Sequence, residues 1–190
     1  YELPYPRIEE EMEVGTACIN MADHQIRINK GFVEELGKKG LDNDVIFNGL
    51  LSHEAGHYKI IPWDLKNLLL MLHSAKKVCG DKCQVVTNYF TDVSLNLELM
   101  LSKREDSIHK LYHAIDKNSK VDILLSHLYA MKTKMDFNSP ALPLELNRKL
   151  IELSRIRYTS KKKTYSNLRR FARIIKDVID EDKQDNKKDA

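Results

Sequence analysis

His53-Glu54-Ala55-Gly56-His57 is the segment of this chain with the clearest chemical content. Two histidines four residues apart on a helix lie about 40° apart around its axis, one turn above the other. Both imidazoles can then reach one metal ion from the same face. Glu54 lies about 100° round from His53 and does not easily enter that ion's inner shell. It can instead contact a metal-bound water from the side and take its proton. This division suits zinc hydrolysis, in which the metal acidifies water and polarises a carbonyl while a carboxylate shuttles the proton. Gly56 costs a helix about 1 kcal/mol against alanine, but its small size lets another element approach the metal helix closely.

A catalytic zinc usually has three protein ligands and an open water position. Candidates for the third lie between Val85 and Arg104, where Asn88, Asp92 and Asn96 are spaced by four and form one polar stripe on an otherwise apolar helix. Glu98 sits six residues beyond Asp92, about 240° around the axis, so the two cannot face the same point. Asp92 is the preferred ligand, because amides along the same stripe can orient it or one of the histidines. Glu98 is the alternative, with Asp92 then an ordinary solvent-facing acid, and Asn88 is a further candidate.

Several elements must position these residues. Residues 16 to 29 read as a β-hairpin, Thr16 to Ala22 and Gln25 to Asn29 flanking the turn-like pair Asp23-His24. A short helix is predicted over 31–38, closed by Gly40. Asp42-Asn43-Asp44 can cap the next helix, which runs through His57 and stops before Pro62. A strongly apolar helix follows from Trp63 to Val78, broken by Cys79-Gly80-Asp81-Lys82-Cys83, and the Val85–Arg104 helix comes after it. Further helical patterns fall at about 105–117, 121–135, 143–158 and 164–181. The stretch 182–190 is almost wholly charged or polar and reads as disordered. The expected fold is mainly α with a small N-terminal β-hairpin, an α+β arrangement.

The chain has 190 residues, 42% hydrophobic and 31% charged, with a formal net charge of +3. That length fits one domain, with room for a helical appendage, and that charge is too small to argue for a nucleic-acid partner. The longest apolar stretch, Leu68 to Leu72, is far below the roughly 18 residues of a membrane span, and no apolar run follows a basic start. The absence of a starting Met fits a trimmed chain or a piece of a longer one. Cys18, Cys79 and Cys83 are an odd number and form no disulfide framework, so a cytoplasmic address is expected.

Other residues are read more plainly. His109 and His113 repeat the four-residue spacing without a glutamate between them, and are taken as one helix face. Cys79 and Cys83 are taken as free thiols beside a loop, and His73 as a helix-end histidine. Arg155, Arg157, Lys161, Lys162, Lys163, Arg169, Arg170 and Arg173 form a basic C-terminal stretch. Because Tyr165, Leu168, Phe171, Ala172, Ile175 and Ile179 keep helical spacing there, it is read as the solvated side of amphipathic helices.

A hairpin, a helix with His-Glu-x-x-His and a later ligand helix resemble the layout of zincin metallopeptidases, including the gluzincins and their minimal archaeal forms. His-Glu-Ala-Gly-His together with Asn-x-x-x-Asp-x-x-x-Asn looks closest to the predicted metal-dependent peptidases found beside von Willebrand A-type domains. The resemblance covers about residues 16 to 104. It implies zinc on His53 and His57, Glu54 as general base and Asp92 as third ligand. The Glu-x-x-x-Asp pattern of thermolysin-like relatives falls on Asn88 and Asp92, with a neutral Asn in the Glu place. The resemblance further implies substrate binding by strand addition, along Gln25 to Asn29 or Thr16 to Ala22. It also implies an oxyanion-stabilising side chain, for which Tyr89, His109, Tyr112 and His113 are available.

The expected organisation is a zincin-like metallopeptidase domain over 1–137, a C-terminal helical region over 138–181 and the tail. The expected function is hydrolysis of a peptide or protein substrate. Two alternatives are an inactive module that binds or regulates through the basic helices, and an enzyme kept latent by its C-terminal helices covering the cleft.

Overall fold

The computed structural model of the chain describes residues 4–10, 15–20 and 23–188. It is mainly helical with a small N-terminal sheet, the class the sequence predicts. Three short strands, β1 (Arg7–Glu9), β2 (Ala17–Ile19) and β3 (Ile26–Asn29), form a sheet of order β1-β3-β2. β2 and β3 are the expected hairpin, paired antiparallel with Ala17 opposite Ile28. Met21 and Ala22, at the end of the expected first strand, lie outside the described residues. β1 was not expected. It runs parallel to β3 with Arg7 opposite Arg27, so β3 is the central strand and cannot serve as a free edge.

α1 (Lys30–Lys38) follows directly, with the Asn29 side chain accepting from the Phe32 N–H. Gly40 then turns the chain at φ +88°, a left-handed conformation that glycine adopts without steric cost. α2 (Asn43–Lys59) starts at Asp42, whose carboxylate accepts from the Asp44 N–H at 2.8 Å. α3 (Leu65–Cys79) is capped by Asp64 in the same way. A single 3₁₀ turn over Gly80–Lys82 leads into α4 (Cys83–Leu101). α5 (Asp106–Ala114), α6 (Lys120–Thr133), α7 (Asn147–Ser154) and α8 (Thr164–Lys188) complete the chain. α8 extends into the polar stretch whose composition reads as disordered.

α4 is the central helix, packed against α2, α3, α5, α6 and α8. It is buried almost all round, which is why its few polar residues carry information. The main core joins Val86, Phe90 and Val93 of α4 to Leu124 and Leu128 of α6 and to Leu168, Phe171 and Ile175 of α8. A smaller core under the sheet gathers Ile26, Ile28, Leu36, Ile46, Leu50 and Leu111. The arginines 169, 170 and 173 stay exposed on the outer side of α8, as the amphipathic pattern predicts. Among the described residues, no helix is long and apolar enough to cross a membrane.

Candidate metal centre

α2 carries His53 and His57 on the side that faces α4. The two helices approach closely because position 56 has no side chain. A Cβ built on Gly56 would lie 2.3 Å from Leu95 Cδ1 of α4. That contact sets Asp92, one turn before Leu95, against the histidines. Asp92 Oδ1 lies 3.3 Å from His57 Nε2 and 3.7 Å from His53 Nε2, and ligand atoms of the three residues all fall within 4.8 Å of one another.

The outer nitrogen of each ring is fixed by an acceptor. His57 Nδ1 donates to the Ile61 carbonyl at 3.2 Å, and His53 Nδ1 donates to the Asn96 Oδ1 at 2.9 Å. Asn96 is fully buried, and its Nδ2 donates to the Tyr129 hydroxyl at 3.0 Å, which fixes the orientation of the amide. Both neutral rings therefore carry their proton on Nδ1, and the two Nε2 lone pairs point together, 3.2 Å apart, beside a carboxylate. Three electron-pair donors at one point repel one another unless a cation, a proton or a metal ion, lies among them. Two imidazoles and one carboxylate are a donor set that divalent zinc accepts, with one position left open.

Glu54 is buried next to this point. Burial pushes its carboxyl above the usual range, opposed by His53 and His57, raised further by Asp92 and lowered again by the hydrogen bond from the Ile19 N–H. That bond ties α2 to β2. His57 is pulled down by burial, but the hydrogen bond and charge of Asp92, with the charge of Glu54, outweigh this and raise it overall.

No protein-family model, curated protein or solved structure matches this chain.

The cleft over these groups has a volume of about 370 Å³. β2 forms one wall through Ala17, Cys18 and Ile19, with Leu68 of α3 and Tyr112 of α5 among the others. Of the four candidates for oxyanion stabilisation, Tyr112 lines the cleft, its ring centroid 6.4 Å from that of His53. Burial and the nearby Asp92 charge hold its hydroxyl well above the usual tyrosine range, so it stays a donor. His109 and His113 belong to a different hollow beside Gly40 and Asp42. His109 Nε2 is bonded there to the Asp136 carbonyl. Tyr89 is in neither hollow. Glu98 faces a separate cavity with Lys59, Lys103 and Lys161, away from the histidines. Asn88 lines the same cleft as the cluster of three. Cys18, Cys79 and Cys83 are free thiols, and His73 is exposed within α3 rather than at its end.

Three participants escape sequence reading. The Ile61 carbonyl and the Ile19 N–H belong to the backbone and leave no side-chain signal. Tyr129 lies 33 residues beyond Asn96, on a helix whose periodicity marks it only as core.

Proposed function

We propose that this chain is a zinc-dependent peptidase, with His53, His57 and Asp92 as ligands and Glu54 as general base. The observation that carries the reading is the convergence of two Nε2 lone pairs and a carboxylate, each imidazole locked by an acceptor on its far nitrogen. Bound there, zinc supplies an acidified water and polarises the carbonyl under attack.

The residues of the chain do the rest. Glu54 takes a proton from the attacking water and delivers it to the leaving amine nitrogen, with burial holding its carboxyl above the usual carboxylate range. Asn96 and the Ile61 carbonyl keep both rings in the tautomer whose Nε2 is free. The Tyr112 hydroxyl is the donor for the oxygen that gains charge in the transition state. A substrate strand adds to the open edge of β2, the hairpin strand that lines the cleft. The free thiols fit a cytoplasmic setting.

The test is zinc stoichiometry and peptide cleavage in the full chain, beside Glu54→Gln and His57→Ala. Wild type should bind one zinc and cleave, Glu54→Gln should bind zinc without cleaving, and His57→Ala should do neither. Stoichiometric zinc with no cleavage of any unfolded protein substrate would favour the binding-module reading. No zinc at all ends the proposal.

A further inference from the structure

A second hollow, of about 250 Å³, lies behind the turn that ends α2 and shares no lining residue with the cleft. Pro62 faces the cleft, whereas Ile61 and Trp63 on either side of it line this hollow. Three lysines from three elements reach it. Lys59 ends α2, Lys103 lies just beyond α4, and Lys161 opens the 3₁₀ turn (Lys161–Lys163) before α8. All three are exposed, and among the described residues none pairs with a carboxylate. The Lys161 ammonium rests over the Trp63 ring, 5.7 Å from its centroid. Glu98, half-buried in the last turn of α4, is the one carboxylate on these walls among the described residues, and it too lacks an ion pair there.

Helix ends account for part of this arrangement. Lys59 and Lys103 stand at the C-terminal ends of α2 and α4, where a cation offsets the negative end of the helix dipole. Lys161 stands at the other end of α8, before a first turn that holds no acidic residue, and a cation is disfavoured there. Three cations against one carboxylate leave two positive charges over. The two buried hydroxyls on the walls already spend their protons inside the protein. Ser94 Oγ donates to the Phe90 carbonyl at 2.8 Å, and Thr164 Oγ1 donates to the Lys161 carbonyl at 3.0 Å. The lysines are thus the charged donors, and Glu98 is a strong acceptor among them.

The geometry points to a site for a small phosphate dianion that also carries a hydroxyl. Lys59, Lys103 and Lys161 meet its charge, and Glu98 accepts its O–H. Monohydrogen phosphate has this form, and so does the phosphate monoester of a small polyol. Sulfate has the charge without the proton, so Glu98 repels it. Liquid water takes about 30 Å³ per molecule, so a hollow of this size takes a phosphate with a short carbon body and is too small for a nucleotide. None of the proposed zinc ligands takes part, and the site stands or falls apart from the peptidase reading.

Inorganic phosphate is the probe, titrated into the full chain by calorimetry at mildly alkaline pH and constant ionic strength. Trp63 emission is followed in parallel. Trp63 is the only tryptophan of the chain and lines the hollow, so its response places the anion. One phosphate should bind saturably and change that emission, with sulfate at least about tenfold weaker. Lys59→Gln, Lys103→Gln and Lys161→Gln should each weaken phosphate about tenfold, as loss of a charge-assisted hydrogen bond does. Lys162→Gln removes the same charge outside the hollow and should cost no more than about threefold. Glu98→Gln should bring the two anions within about threefold of each other, because acceptor and repelling charge go together. No saturation, unchanged Trp63 emission, sulfate as tight as phosphate in the wild type, or Lys162→Gln costing as much as the others overturns the site. Glycerol 3-phosphate and ethyl phosphate, monoesters with and without hydroxyls, separate the sources. Glycerol 3-phosphate binding tighter than inorganic phosphate assigns the site to a polyol monoester, and the reverse assigns it to free phosphate. Ethyl phosphate as tight as the better of the two overturns the role of Glu98.

Discussion

At the scale of single residues, the proposed metal centre separates candidate ligands from the groups that aim them. Asp92→Ala removes one of three converging donors. It should weaken zinc by more than the roughly 10–100-fold expected for loss of a partner that only orients a ligand. Asn96→Ala should fall within that smaller range, since His53 keeps its Nε2 but loses the acceptor that fixes its tautomer. Glu98→Ala should change zinc affinity hardly at all, because its carboxylate faces another cavity. Competition with a chromophoric chelator measures all three. Equal losses for Asp92→Ala and Glu98→Ala would count against the assignment of ligands.

The same residues give the metal-free protein a pH dependence of definite sign. Glu54 is held above its usual range, chiefly by burial. His57 is held up because Asp92 and Glu54 outweigh its burial. Both therefore bind a proton more tightly in the folded chain than in the unfolded one. Their contribution is fully present below the unfolded values and is lost as pH rises through the folded ones. Metal-free protein should thus melt lower at about pH 8 than at about pH 6, with a shallower slope in Glu54→Gln. Zinc in excess replaces the proton as the cation at this point and should flatten the slope. A melting temperature that climbs across this window in the metal-free wild type contradicts the charge arrangement.

At the scale of elements, the distance between α2 and α4 is the quantity that matters, and Gly56 sets it. Gly56→Val forces a side chain into Leu95, which is fully buried. Overpacking of this kind costs about 1–3 kcal/mol, and the displaced α4 carries Asp92 with it, so zinc affinity should fall as well. Gly37→Ala is the control. Nothing lies within 4 Å of a Cβ there, and it should gain up to about 1 kcal/mol by helix propensity alone. Urea midpoints compare the two. The helix caps, the His-Glu-x-x-His face and the stripe of Asn88, Asp92 and Asn96 were legible in the sequence because each is a local pattern with a helical period. β1 was not, since Arg7-Ile8-Glu9 has too few residues to alternate and pairs with residues twenty positions later. Nor was it legible which amide holds which histidine. Asn88 and Asn96 share one stripe, and only the depth of α4 in the core makes Asn96 the buried one.

At the scale of the whole molecule, the cleft and the C-terminal helices occupy different parts of the fold. The cleft is lined by residues between Thr16 and Ile115, none of them from α7 or α8. Among the described residues, α7 and α8 therefore do not cover the cleft, as the latent-enzyme alternative would require. α8 and the segment before it instead complete the main core, with Phe171 of α8 against Phe90 at 5.6 Å and Tyr158 against Phe90 at 5.9 Å between ring centroids. Removing the chain beyond residue 140 would strip that core from α3, α4 and α6 rather than uncover an active site. The shortened chain should show no cooperative unfolding transition and no tight zinc. Phe171→Ala, a milder cut into the same core, should cost about 3–5 kcal/mol while the remaining folded protein keeps its zinc ligands in place. Cooperative melting of the shortened chain with full zinc affinity would mean that the metal-bearing half folds alone, and that α8 is an appendage after all.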